Sequence, residues 1–278
     1  KNYTGEVVIP TIIVAKKEVE KPQEITTSFT YNGKVQEYGL VSTELYTVSG
    51  ATQTDAGTHK VTVKLVDANN YKWQGLNGDD ESADQTYSFE IAKKAVKVTW
   101  EYASSYTYNG EVFTTPKATY KNVNNESVEL TPSCDKSEFK AAGTYKFTVV
   151  TDNSNYLLSD TELKITVNKA TRTVTDNMPT DLVYTGTAIS SSTYTTWFTK
   201  ADTDGKLTVS LVGATEMKNA GEYTLSVSVA ETDNYEAFSQ DYTVTIAKAT
   251  VTKPAKPAEK YTYNGYEYTF FTTSSLYY

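Results

Sequence analysis

His59 is the one histidine of this chain and Cys134 its one cysteine. A thiol nucleophile needs an imidazole base, and a hydroxyl nucleophile needs the same histidine with a carboxylate behind it. All such chemistry would therefore have to pass through His59. That residue instead opens an alternating run, His59, Val61, Val63, Leu65, with Lys60, Thr62 and Lys64 between. This period of 2 is that of a half-buried strand. In two other segments of the same pattern the position is held by Tyr145 and Tyr223, so the plainer reading is an aromatic slot at a strand start. Cys134 alone excludes an internal disulfide, and it has no histidine at a motif spacing. No Gly-x-Ser-x-Gly, phosphate loop or zinc-ligand spacing occurs. The expectation is a protein that is not an enzyme, with no catalytic residue to name.

Three other groups bear on binding. Asp79, Asp80, Glu81 and Asp84 form one acidic cluster, and Asp202 and Asp204 sit on an Asp-Thr-Asp-Gly turn. Clustered hard oxygens are what calcium requires, yet neither set has the full alternating ligand loop. Each reads as a solvated turn or as a calcium site. Tyrosine is abundant, at 23 residues, and Trp73, Trp100 and Trp197 add to it. Most of these aromatics alternate along strands, where they serve as core or cross-strand pairs. The exceptions are Trp73, in a long segment between Asn70 and Gln85, and Tyr266, Tyr268, Tyr277 and Tyr278 near the end. Amphipathic rings outside a strand pattern suit contact with a sugar face or a protein surface. Lastly, Lys16, Lys93, Lys169 and Lys248 each follow a strand-like run. They read as solvated linker residues, or as donors for Lys–Asn isopeptide links.

The net charge of -8 and the single arginine, Arg172, argue against nucleic acid, which selects clustered basic surface and the arginine fork. No apolar run is long enough to span a bilayer as a helix. The chain opens in mid-motif at Lys1-Asn2-Tyr3, which implies a removed leader or a piece of a longer protein.

A repeated unit carries these residues. Tyr31-Asn32-Gly33 recurs as Tyr108-Asn109-Gly110, Tyr184-Thr185-Gly186 and Tyr263-Asn264-Gly265, the tyrosines falling at intervals of 77, 76 and 79 residues. After the first three comes an Ala-Gly turn leading a strand: Ala56-Gly57-Thr58-His59, Ala142-Gly143-Thr144-Tyr145 and Ala220-Gly221-Glu222-Tyr223. Then come Asn70-Tyr71, Asn155-Tyr156 and Asn234-Tyr235, and a closing strand through Tyr87-Phe89-Ile91, Leu163-Ile165-Val167 or Tyr242-Val244-Ile246. Repeats of this length are single packed units with insertions in their loops. The division expected is 1–17, the tail of a preceding repeat; 19–94, 95–170 and 171–249, three full repeats; and 250–278, the start of a fourth. No window carries a capped apolar pattern at helical spacing, so the fold class expected is all-β.

This order of motifs resembles the tandem β-repeat modules of bacterial cell-surface proteins, the bacterial Ig-like and MBG/YDG-type repeats of adhesins, over nearly the whole chain. The resemblance implies an elongated rod of small Ig-like β-sandwich modules in an extracellular, cell-surface protein. It implies a structural stalk that positions a distal domain, or alternatively a module that binds glycans or host surface proteins. The partners expected are neighbouring repeats, with head-to-tail self-association through the split terminal units as a further expectation. Nucleic acid and membrane insertion are not expected.

Overall fold

The structure is a computed structural model that describes residue 5, residues 9–253 and residues 262–266. It is nearly all β, with several small sheets. The residues gather into two compact units, one of residues 1–106 with 110–167 and one of 107–109 with 168–278. The first unit holds two repeats and the second holds one. Among the described residues no helix is long and apolar enough to cross a membrane.

Repeat one is built on a four-stranded sheet. Phe29–Thr30 runs parallel to the closing strand Gln85–Ala92, which pairs antiparallel with Gly57–Leu65, and that strand pairs with Tyr46–Ser49. The alternation in the sequence is realised as burial. Val61 and Val63 are wholly buried, with Leu65, Phe89 and Ile91 close behind. A second, parallel pairing joins Lys17–Val19 to Tyr71–Trp73.

Repeat two has the same order, with Glu162–Asn168 beside Gly143–Thr148 and that strand beside Ser133–Cys134. Facing it, Thr99–Glu101, Lys117–Lys121 and Ser127–Leu130 form a three-stranded antiparallel sheet. Val98, Ala118 and Val149 pack together in the core there, with Trp100, Leu130 and Leu158 against them. Lys94–Lys97 runs parallel to Tyr156–Ser159. Pro116 and Pro132 stand just outside the strands they punctuate, because proline has no N–H to give a ladder.

Repeat three pairs Leu207–Val212, Gly221–Val229 and Phe238–Ile246, with a parallel bridge from Val183 to Ala247 beside the last. It departs from the all-β expectation in one turn of helix, Ser191–Thr195. Ser190 caps it by accepting from the Thr193 N–H, and Tyr194, the following Trp197 and Phe198 are buried in the core. So short a turn leaves no helical period in a sequence; the buried rings hold it.

Backbone geometry explains the two glycines of the repeat. Gly57, Gly143 and Gly221 adopt φ of 146°, 138° and 151°, and Gly33, Gly110 and Gly186 adopt 75°, 83° and 79°. Side-chain-bearing residues rarely take these values. The Ala-Gly and Tyr-x-Gly turns therefore require glycine, and the motif is constant for that reason.

Candidate functional site

Superposed in sequence, the repeats share two backbone links and one link from a side chain to the backbone. The Lys17, Lys94 and Ala170 N–H groups donate to the carbonyls of Asn70, Asn155 and Asn234, each at 2.9 Å. The Tyr31, Tyr108 and Tyr184 N–H groups donate to Ala92, Asn168 and Ala247 at 2.8, 2.9 and 2.9 Å. The Tyr145 and Tyr223 hydroxyls donate to the carbonyls four residues back, Ala141 at 2.7 Å and Asn219 at 3.0 Å. His59 does the same work in repeat one, with Nε2 2.8 Å from the Asp55 carbonyl and its ring 5.4 Å from Phe89. It fills the aromatic slot.

The first link sets the incoming chain against the Asn-Tyr corner of the next repeat, so the signature residues converge at a joint. Between repeats one and two, all inside the first unit, the Tyr31 ring meets the Tyr156 ring edge-on at 5.5 Å and 80°. The Asn155 carbonyl oxygen accepts from the Ala56 N–H at 2.7 Å, and its amide donates to the Asp55 carboxylate at 2.9 Å. Inside the second unit, Tyr108 meets Tyr235 with nearly the same geometry, 5.5 Å and 82°. The Tyr-x-Gly tyrosine of one repeat is thus the partner of the Asn-Tyr tyrosine of the next. Burial, then Tyr156 and the Asp55 carboxylate, raise the Tyr31 phenol above its ordinary 10.0. Such a group contributes stability in full below pH 10 and loses it as the pH rises through the raised value. A cycle of Tyr31→Leu and Tyr156→Leu, read by urea unfolding, is expected to show coupling of about 0.5–1.5 kcal/mol. Additive losses would mean that the ring contact carries no energy.

The second unit adds a cage that is peculiar to it. The Arg172 side chain is fully buried. Its guanidinium donates to the Asp202 carboxylate, to the Asp204 carbonyl at 2.6 Å, to the Thr232 hydroxyl at 3.0 Å and to the Glu236 carbonyl at 3.1 Å. The Tyr235 ring centroid lies 4.6 Å from its central carbon. Lys200 adds bonds to the Asp202 carboxylate at 3.1 Å and to the carbonyls of Asp202 and Asp204 at 2.7 and 2.9 Å. Burial pushes the Asp202 carboxyl up, but hydrogen bonds and charge from Lys200 and Arg172 outweigh it and hold the group below its usual range. Nearby, Lys169 pairs with Glu231 and donates to the Thr232 carbonyl at 2.7 Å. This cluster fastens the incoming chain to two loops. Sequence reasoning used Arg172 only to argue against nucleic acid. The available signal was a lone arginine four residues past the end of the strand Glu162–Asn168, with an Asp-Thr-Asp turn in the same repeat.

The residues singled out for binding fare differently. Trp73 requires a correction: it is wholly buried, its Nε1 donating to the Ala83 carbonyl at 2.8 Å, in a core with Val19, Val63 and Leu65. The long Asn70–Gln85 segment wraps over it and removes it from any ligand. Tyr266 is exposed, following a turn in which the Asn264 side chain accepts from its N–H. Tyr268, Tyr277 and Tyr278 lie outside the described residues. Asp79 and Asp80 sit on a short 3₁₀ turn, Glu81 pairs with Lys16 at 3.0 Å, and Asp84 follows close by. Asp202 and Asp204 face the cations of the cage. Among the described residues no three metal-capable side chains converge. Lys16 and Lys169 reach carboxylates, hydroxyls and carbonyls, all of them ionic or hydrogen-bonding partners. Cys134 is half-buried on its short strand.

No family model matches the chain, and no curated protein matches it.

Proposed function

We propose that the chain is a non-catalytic, extracellular structural spacer of a bacterial surface protein, a run of small Ig-like modules in an elongated rod that holds a distal domain away from the cell. One observation carries the reading: the residues that recur from repeat to repeat are spent on turns and joints. Inside the first unit, Tyr31 with Tyr156 and Asn155 with Asp55 and Ala56 use the repeated motifs to fix one repeat on the next, and inside the second unit Tyr108 and Tyr235 meet in the same geometry. Residues kept for a ligand would instead converge on a cleft. A spacer needs its joints stiff, and rings plus amide hydrogen bonds supply that stiffness at small cost in side-chain entropy. The acidic balance suits an exposed protein that must not adhere to anionic partners.

Three repeats in line reach on the order of 100 Å, from strands of about 8–10 residues at about 3.3 Å each. Small-angle scattering is expected to give a rod of that length, unchanged between low and physiological salt. A flexible or globular scattering profile would remove the spacer reading.

One observation favours a second reading, an adhesin module. Repeat two carries a shallow cleft of about 410 Å³ lined by Asn122, Glu129, Thr131, Thr151, Asp152 and Asn153 over Tyr120 and Tyr156. Carboxylates and amides beside tyrosine rings suit hydroxyl-rich ligands such as glycans. A glycan-array signal lost on Glu129→Ala with Asp152→Ala would support it.

A further inference from the structure

Repeat two leaves open a sheet edge that its sister repeats close. Aligned on Gly57, Gly143 and Gly221, the stretches Val63-Lys64-Leu65, Val149-Val150-Thr151 and Val227-Ser228-Val229 are equivalent. In repeat one this stretch pairs antiparallel with Val48, Thr47 and Tyr46, and in repeat three with Val209, Thr208 and Leu207. Both partners read apolar, threonine, valine, with the threonine exposed and its neighbours half-buried. In repeat two the partner strand, Ser133–Cys134, reaches only as far as Thr148. Ahead of Pro132 the chain belongs to the facing sheet, where Ser127–Leu130 pairs with Lys117–Lys121. The strand Gly143–Thr148 is accordingly six residues long where its counterparts have nine, and Val150 is 79% exposed. Among the described residues nothing pairs with residues 149–151 on that edge.

The gap is the cleft of about 410 Å³, and two unbroken runs line it, residues 128–131 and 150–153. A strand face offers alternate residues, so unbroken runs are edges. The ladder phase agrees. The Asn122 N–H bonds the Glu126 carbonyl, so Val128 and Leu130 bond inward to Lys117–Lys121 and the Glu129 N–H and C=O point away from it. Val149 donates to the Thr161 carbonyl at 3.0 Å, which turns the Val150 N–H and C=O the other way, toward the place of the missing strand. The buried rings of Tyr120 and Tyr156, 5.1 Å apart, floor the cleft. Glu129 and Asp152 are exposed on its walls, and among the described residues neither pairs with a cation.

We propose that this cleft takes one extended peptide segment of a partner protein, added antiparallel to residues 149–151 as the missing strand. The sister repeats supply its pattern, an apolar residue, a threonine and a valine. The middle residue bonds Val150 through its backbone, and its two neighbours turn toward the floor of Tyr120 and Tyr156. The unpaired carboxylates of Glu129 and Asp152 select lysine or arginine beside that core. A sugar meets the carboxylates and the rings but neither backbone edge, whereas a peptide meets all of them. Peptide capture is one form of the adhesin role read from the same cleft, and it rests on that reading.

Fluorescence anisotropy of the full chain with a labelled, end-capped Lys-Tyr-Thr-Val-Lys peptide tests it. A ladder this short is expected to give a dissociation constant on the order of 0.1–1 mM. Proline in place of the peptide's threonine removes the N–H that the ladder needs and is expected to weaken binding about tenfold or more. Val150→Pro removes the matching donor from the chain, with the same result. Glu129→Gln with Asp152→Asn is expected to lower affinity about threefold to tenfold and to flatten its salt dependence. Thermal melting checks both variants, and if Val150→Pro fails to fold, the proline peptide decides. No binding up to about 5 mM, or equal binding of the proline peptide, overturns the proposal. Dimers that form without peptide and dissolve on Val150→Pro would assign the cleft to a second copy and overturn it as well. A glycan-array signal without peptide binding overturns it but leaves the adhesin reading standing, and silence in both assays removes the two together.

Discussion

Replacing Arg172 with alanine is expected to cost repeat three about 3–5 kcal/mol, the range found when one partner of a buried ion pair is removed. The reason is what remains behind. The Asp202 carboxylate keeps Lys200 but loses the guanidinium, and the carbonyls of Asp204 and Glu236 and the Thr232 hydroxyl lose donors in a site nearly closed to water. The Tyr235 ring also loses the cation on its face. Urea unfolding is expected to show an early transition for repeat three, with the first unit's transition in place. Arg172→Lys restores charge but not the fork that satisfies four acceptors, so it recovers only part. The pH dependence has a defined sign. The Asp202 carboxyl is depressed in the folded state, so its contribution is complete above its ordinary 3.8 and is lost as the pH falls through the depressed value. Asp202→Asn removes that acid-sensitive step. An Arg172→Ala chain that unfolds like the parent would mean that the cage is solvent-screened decoration.

Trp73→Ala is expected to cost repeat one about 3–5 kcal/mol, the usual loss for deleting a buried large aromatic. Among the described residues Trp73 is the largest fully buried side chain, packed with Val63, Leu65 and Val19, its ring centroid 6.0 Å from that of Tyr46. The deletion opens a cavity and takes one of two donors from the Ala83 carbonyl, which keeps the Gln85 side-chain amide at 2.9 Å. Trp73→Phe keeps most of the apolar volume and loses the Nε1 bond, so its cost is smaller, about 1–2 kcal/mol from the lost hydrogen bond and the volume change. Denaturation of the three proteins, followed by far-ultraviolet circular dichroism, measures both steps. A loss below about 1 kcal/mol would contradict the core position, since surface substitutions fall in that range. The ligand role expected of this tryptophan predicts the opposite pattern, unchanged stability with altered binding.

Much of the fold was legible because strand alternation is local. The runs through Val61, Val63 and Leu65, through Tyr145 and Phe147, and through Val244 and Ile246 all bury the predicted face. The turn glycines were legible as well, since positive φ leaves few residues to choose from. The parallel pairing of Lys17–Val19 with Tyr71–Trp73 was not, because a parallel partner lies one crossover away and leaves no adjacent turn signal. The helical turn at Ser191–Thr195 escaped for lack of length. Trp73 was misjudged because its strand is only three residues long and pairs with a distant partner, Lys17–Val19, so no local period marks its buried face.

The sequence by itself determined the repeat, its β character and the constancy of its turns, because each follows from residue spacing within a few positions. It also supplied every residue of the joints, but as separate motifs about a hundred positions or more apart. Only the tertiary structure decided that Tyr31 faces Tyr156, that Asn155 reaches Asp55, and that Arg172 is sealed among Asp202, Asp204, Thr232 and Glu236. Those meetings depend on the register of sheets and on where loops return. A lone tyrosine, asparagine or arginine carries no record of its partner until the chain has closed around it.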